Sequence, residues 1–383
     1  SDLVVTDGLT ADGNTFVVNS NTNNVGIGTN TPLEALTVMG NISGSNNLTT
    51  NTLSAGDIRV GKIIGGSNNQ AIAQKTFIGG GSQNTASGNY SSVVGGLSSQ
   101  TLSAYAFVGG GYKNKAHDEL STVVGGYLNN ALSAYSFIGG GCCNKAYGIG
   151  STAVGGLQVS AVDNFSFVGG GKHNIANGRY SVAVGGCLNK TISNCSFIGG
   201  GENNKTCARL TFIGSGQNNV ANGPESFIGG GDDNVTCGTQ SFIGAGECNT
   251  TVTRNTFIGG GKQNTVNGYY STVVGGLSSE TLSACSFIGG GYKNKAHDQF
   301  TTVVGGYLNN ALSAYSFIGG GRCNKAYGDN STAVGGFQVS AVGNNSFVGG
   351  GKHNIANGTY SVAVGGCLNK TISNCSFIGG GEN

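Results

Sequence analysis

The sequence predicts an all-β protein, a parallel β-solenoid of about 22 coils, and three observations predict it. The first is composition. Of 383 residues, 73 are Gly, 2 are Pro and none is Trp. Gly is far above its usual ~7% and helix formers are scarce, so a helical bundle or coiled coil is excluded. Gly keeps no every-third-residue spacing, which excludes a collagen-type helix. The second is a repeat. Phe, Val or Ala (Ile at residue 63), then Ile or Val, then Gly, recurs 22 times from residue 63 onward. Its spacing opens at 14, alternates 16 and 14 from Phe77 to Phe197, holds at 15 to Phe257, and alternates again to Phe377. Such a period is too short for a helical repeat or a propeller blade and suits one coil of a narrow solenoid. The third is the chemistry of the columns within each coil.

We count each coil from its Phe, Val or Ala as column 0. Column +1 is Ile or Val and column +2 is Gly in every copy. Neighbouring strand residues point to opposite faces, and both are apolar here, so the strand is expected to be buried on both faces. The Gly fits a bend with positive φ or a close backbone approach. Twelve coils carry Asn at column +7, from Asn84 to Asn354. Asn suits a left-handed turn, and stacked coil on coil it can also form an amide ladder. Ser or Thr precedes nearly every Phe, and column +9 is mostly small or aliphatic, as at Ala86, Leu102 and Ala116. A coil this small buries about four side chains, so a lone chain would leave column 0 or +1 in water. The remedy is a homo-oligomer, with columns 0 and +1 covered by the chain's own roll and by a partner.

Residues 91–203 and 271–383 align at an offset of 180 with 15 differences in 113 positions. The differences cluster outside the core columns. They include Tyr105/Cys285, Phe165/Asn345, Cys142/Arg322, Glu119/Gln299, Arg179/Thr359 and Ile149/Asp329. Their columns, mainly −2, +5, +12 and +13, are therefore read as solvent-facing. Residues 1–62 differ from the repeats. Phe16-Val-Val-Asn and Val25-Gly-Ile-Gly flank a polar turn and read as a hairpin. Leu36–Ile42 reads as a further strand. Leu48, Leu53, Ile58 and Val60 continue a thin Thr/Asn-rich stretch with too little apolar content for a globule. Residues 1–62 are thus an N-terminal β collar or shaft, and 63–383 the solenoid.

Two resemblances arise at these residues. Tyr180-Ser-Val-Ala-Val-Gly185 and its counterparts through residues 63–383 resemble the head repeats of YadA-type trimeric adhesins. That resemblance implies a left-handed parallel β-roll in an intertwined homotrimer. The second Gly after the strand, as at Gly80 and Gly96, and the 16/14 alternation depart from the family's pattern. The segment from Asn14 to Gly44 resembles the N-terminal part of phage and viral tail-fibre proteins. Fibres of that kind often end in a self-cleaving intramolecular chaperone, and residues up to Asn383 carry none. With Ser1 at the start and a stop in mid-coil, the sequence reads as part of a longer one.

Chemistry-bearing residues are sparse. The four histidines are two positions, each duplicated: His117/His297 and His173/His353. His173 shares its column with Gln83, Lys113, Cys143 and Asp233, which marks a solvated turn rather than an axial metal site. The 11 Cys show no Cys-x-x-Cys and no Cys/His ligand spacing. They replace ordinary residues column by column, so they read as scattered thiols, with disulfides between neighbouring coils as the alternative. Gly-Gly-Gly strings precede no helix, so they cradle no phosphate. No Ser/His/Asp or paired-carboxylate set recurs, so no catalytic residue, cofactor or metal is expected, and no enzyme. A formal charge of +2 gives no footprint for nucleic acid. No run of 18 apolar residues marks membrane insertion.

Columns +5 and +6 carry the most varied side chains and flank the Gly turn. Tyr112, Lys113, Lys172, His173, Tyr292, Lys293, Lys352 and His353 are therefore the candidate recognition residues. An aromatic ring beside a charge suits a glycan or protein receptor; turns that only keep a spacer soluble are the plainer reading. The expected function is a structural fibre of a virion, a tail or surface fibre acting as rigid spacer and host-attachment element. Its partners would be two further copies of itself, other virion proteins at the N-terminal end and a host surface receptor, and its location extracellular. The alternative is a bacterial surface trimeric adhesin. An ice-binding solenoid comes third, because no column is consistently Thr.

Overall fold

The structure, a computed structural model, describes residues 16–19, 24–27, 36–38 and 62–382. The chain divides into two units, Ser1–Arg59 and Val60–Asn383. In the first, β1 (Phe16–Asn19) pairs antiparallel with β2 (Asn24–Ile27), with Phe16 opposite Ile27. This is the hairpin read from the sequence. Strand β3 (Leu36–Val38) lies parallel to β2. The readings at Leu48, Leu53, Ile58 and Val60 fall outside the described residues.

The second unit is a parallel β-solenoid of about 21 turns, and its described residues contain no helix. Each turn contributes a two-residue strand to one sheet, as at Phe137–Ile138, and another to a second sheet, as at Lys145–Ala146. Between them a single-residue ladder runs from Ser67 to Glu382. Backbone N–H groups donate to carbonyls of the next rung, for example Phe137 to Ser151 at 2.9 Å and Gly139 to Ala153 at 3.0 Å. Polar backbone is thus satisfied without any helix.

The rung length corrects the sequence reading. Phe77 pairs with Ser92, Ser92 with Phe107, and Phe107 with Thr122. From Phe77 to Phe377 the register is a uniform 15; only the first pairing, Lys62 with Thr76, is 14. The 16/14 alternation is the motif sliding by one residue between rungs of equal length. Val93, not Val94, pairs with Ile78 and is fully buried, whereas Val94 is 46% exposed. Val124, Val154 and Val184 are exposed in the same way. Columns are counted hereafter from Phe77 in steps of 15.

In this register the interior is filled by the lone chain. Column +1 is Ile, Val or Ala and column +9 is Ala, Thr or Val, and both are buried, save for half-buried Ile378 in the last rung. Column −1 is Ser, Thr or Ala and column +7 is mostly Asn, also buried. The expectation that 15 residues enclose too little for a core is corrected: small side chains at −1 and +9, with Ile, Val or Ala at +1 and Asn at +7, fill the coil's own interior. Column 0 is not buried on its outer side, so the strand is covered on one face only.

The Asn column is a ladder. The backbone N–H of Asn219 donates to Oδ1 of Asn204 at 3.0 Å. Its Nδ2 donates to the Ser215 carbonyl at 3.2 Å and to the Gly231 carbonyl of the next rung at 2.7 Å. With uniform rungs the column also includes Asn129, Asn189, Asn309 and Asn369, which the sliding motif concealed.

The positive-φ glycine is column +4 rather than +2. Gly96 (φ 98°) and Gly216 (φ 97°) are examples, and an added Cβ at either would land on the next rung's carbonyl oxygen. Column +2 Gly in the Phe rungs is a close approach. A Cβ at Gly139 would meet the Val154 carbonyl and sit 3.5 Å from the Phe137 ring.

Candidate functional site

The second unit presents two outer faces and the corners between them. On the first face, columns 0 and +2 alternate in a compensating way through all 21 rungs from residue 77. Where column 0 is Phe, column +2 is Gly; where column 0 is Ser, Thr or Val, column +2 is Val. Each large ring lies across a glycine, and each short side chain stands beside a valine. The rings of Phe197, Phe212, Phe227, Phe242 and Phe257 stack in sequence at 4.7–5.1 Å. No charged residue occupies either column in these rungs. The rings are mostly half-buried and the valines exposed, so an uncharged apolar strip runs the length of the unit.

The opposite sheet turns columns +8 and +10 outward, next to the corner at column +6. Lysines stand at column +8 in seven rungs: Lys115, Lys145, Lys190, Lys205, Lys295, Lys325 and Lys370. The only acid in that column is Glu280, whose Oε2 lies 3.1 Å from Lys295 Nζ. Shallow pockets open along this face. One of about 300 Å³ is lined by Ser98, Gln100, Lys113, Lys115, Leu128 and Asn130. Another of about 300 Å³ is lined by Cys143, Lys145, Gln158 and Ser160. A third of about 400 Å³ is lined by Cys323, Lys325, Tyr327, Gln338, Ser340 and His353. Lysine amines lie near tyrosine rings, with Lys145 Nζ 5.7 Å from the Tyr147 centre and Lys325 Nζ 5.6 Å from that of Tyr327. Burial, and then the Lys115 charge, lower the His117 pKa; burial and Lys295 do the same to His297. Each ring is therefore neutral at neutral pH.

The sequence-predicted residues sit at the corner, on both sides of it. Tyr112 stacks on Tyr127 at 5.1 Å and Tyr292 on Tyr307 at 4.8 Å. Lys113 and Lys293 are exposed, with amines 5.0 and 5.1 Å from the Tyr112 and Tyr292 ring centres. A hydrogen bond to the Tyr112 side chain raises the Lys113 pKa, keeping it cationic. Lys172 and Lys352 are exposed at column +5. His173 and His353 are half-buried at column +6, and His353 meets the Phe337 ring edge-on at 5.4 Å. The structure brings Lys113 and His353 to the pockets. The column +8 lysines escape sequence reasoning because the sliding motif scatters them over two columns; a fixed 15-residue count aligns them.

All 11 cysteines are free. No two are 15 residues apart, so none stacks on another in its own column. The Sγ atoms of Cys142 and Cys143 lie 3.1 Å apart, and this contact, with burial, raises the Cys143 thiol's pKa. Among the described residues no three His, Cys, Asp or Glu side chains converge as a metal site would require. No family model matches the chain, and no curated protein matches it.

Proposed function

We propose that this chain is the shaft of a homotrimeric virion fibre, a tail or surface fibre that serves as rigid spacer and host-attachment element outside the cell. The observation that carries this reading is the apolar strip at columns 0 and +2. Twenty-one rungs at ~4.8 Å make a strip ~100 Å long. At two side chains wide it offers on the order of 1,000 Å², comparable to the ~800 Å² each partner gives to a stable interface. Proteins that remain monomeric rarely leave so large an apolar patch in water. A second copy of the chain has the same rung spacing, so it can cover the strip from end to end in register. Three copies around one axis, each a left-handed roll, is the arrangement implied by the likeness to YadA-type heads. The Asn14–Gly44 segment, with its β1–β2 hairpin, supports a viral fibre over a bacterial adhesin.

Sedimentation of the purified chain tests the assembly, with three chains per particle expected. A stable monomer with an intact β spectrum overturns it. Antibodies to the rod test the setting: they should label filaments projecting from virus particles. Labelling of bacterial cell surfaces would replace the virion by the adhesin.

A further inference from the structure

The internal duplication is a record of which outer surfaces have been free to change. The offset of 180 is twelve whole rungs, so every residue of 91–203 has its copy in the same column. Seven of the 15 differences fall at columns +12 and +13, among 14 positions compared. Columns +6, +8 and +10 contribute 22 outward positions and a single difference, Gln100/Glu280. The apolar strip has also changed once, Ser92/Thr272, as an assembly face should. The second sheet's outer face is therefore kept as closely as the strip, although it mixes polar with apolar side chains and is half-buried to exposed. Solubilising residues would have drifted as columns +12 and +13 did.

We propose that this face, once in each copy, is a binding groove for a linear polysaccharide carrying carboxylate or sulfate groups. Within residues 98–192 no acidic side chain stands at columns +6, +8 or +10, while Lys113, Lys115, Lys145 and Lys190 do. Lys115 and Lys145 are two rungs apart, ~10 Å along the rod. A linear polysaccharide with an acidic disaccharide repeat, as in hyaluronan or heparin, repeats its charge pattern at a spacing of that order, so one ligand period meets one pair of rungs. Beside Lys115 stands Gln100, and between the lysines stand Asn130, Gln158 and Ser160, neutral donors and acceptors for sugar hydroxyls. Tyr147 offers a ring with a polar tip, suited to a wet sugar face.

Nucleic acid fits less well. A duplex carries a charge every ~1.7 Å, whereas lysines occupy about one rung in three at column +8 and no arginine stands at columns +6, +8 or +10. Twelve rungs, ~60 Å, separate the two grooves, so one long polymer can engage both by avidity. The copies are unequal. Glu280 neutralises Lys295, where Gln100 leaves Lys115 free of an acid in that column. The first groove therefore binds more tightly. This inference deepens the attachment part of the proposed function and rests on it only for where such a polymer is met.

The test uses the full chain with defined heparin and hyaluronan oligosaccharides, which separate sulfate from carboxylate, plus neutral dextran and a DNA duplex. Binding is measured by calorimetry at low and physiological salt. One or both acidic sugars should bind, more weakly as salt rises, and dextran should not. The quadruple variant Lys115→Gln, Lys145→Gln, Lys295→Gln, Lys325→Gln should lose about tenfold or more at an unchanged melting temperature. In a Lys115→Gln, Lys145→Gln background, Glu280→Gln should strengthen binding. No binding at low salt, equal binding by the quadruple variant, or tighter binding of the duplex overturns the proposal. Sedimentation of the same samples reports assembly separately, so a trimer that binds no acidic sugar refutes the groove and leaves the fibre standing.

Discussion

At the scale of single residues, the unusual feature is left-handed backbone without glycine. Columns +6 and +13 hold positive φ in every rung, 50–63°, and all but Gly150 of these described positions are non-glycine. Leu188 (φ 59°) and Tyr105 (φ 56°) are typical. Each such residue costs roughly 1–2 kcal/mol relative to the right-handed form. Neither column contains a single Val, Ile or Thr, although the chain is rich in all three. Branching at Cβ makes this conformation hardest to adopt. Leu188, 49% exposed, isolates the effect. Leu188→Gly should stabilise by ~0.5–1 kcal/mol, the relief of strain less glycine's greater unfolded freedom. Leu188→Val should destabilise by about 1 kcal/mol or more. Thermal melts of the two variants check the sign of each. Buried serines make a second case. The hydroxyl of Ser331 is buried with no hydrogen-bond partner, and Ala106 occupies the same column. Ser331→Ala should be neutral or stabilising by up to about 1 kcal/mol.

At the scale of the rung, the core is half polar, and its stability depends on closing every amide bond. Asn219 joins three rungs: its Nδ2 donates to the Gly231 carbonyl on one side, and its backbone N–H donates to Asn204 Oδ1 on the other. Its own Oδ1 accepts the backbone N–H of Asn234 at 3.1 Å. Asn219→Ala leaves that buried N–H and two carbonyls without these partners. The expected cost is about 1–3 kcal/mol, read as a lower denaturant midpoint. Val159 and Val339 show that the column tolerates an apolar residue in two places, where the preceding Asn still accepts their N–H groups. A central substitution should therefore weaken the rod locally rather than abolish the fold. Ile228 is the harsher probe. It is fully buried between Ile213 and Ile243. Ile228→Asp puts an unpaired carboxylate there at a cost of several kcal/mol, and limited proteolysis should then cut near that turn.

At the scale of the whole molecule, the faces proposed for assembly and for attachment lie on opposite sheets. Phe212 and Phe242 belong to the stacked run on the apolar strip, and both are half-buried in the lone chain. Phe212→Lys with Phe242→Lys places like charges on a face meant for another copy. The chain's own core at column +1 is untouched, so the β spectrum should persist while sedimentation shifts toward single chains. An unchanged particle mass would show that the strip is not the contact. The column +8 lysines should be indifferent to this change, which separates the two faces experimentally.

Much of this fold is legible in the amino-acid sequence. Composition excludes helices, the period near 15 sets one coil, and the columns at which Tyr105/Cys285 and Phe165/Asn345 differ are exposed as expected. The hairpin at Phe16–Ile27 follows from its apolar runs and polar turn. The register does not follow, because apolar pairs such as Val93-Val94 and Phe77-Ile78 look alike as strings while their inward residues differ by one. Only the hydrogen-bonded ladder decides between them: stacking parallel rungs in register requires equal lengths, and equal lengths put Val93 inside and Val94 out. That same constraint gathers the asparagines into one ladder, aligns the lysines into one stripe and places the Phe rings over their glycines. Local sequence specifies the coil; the pairing of each coil with the next specifies which side of every residue meets water.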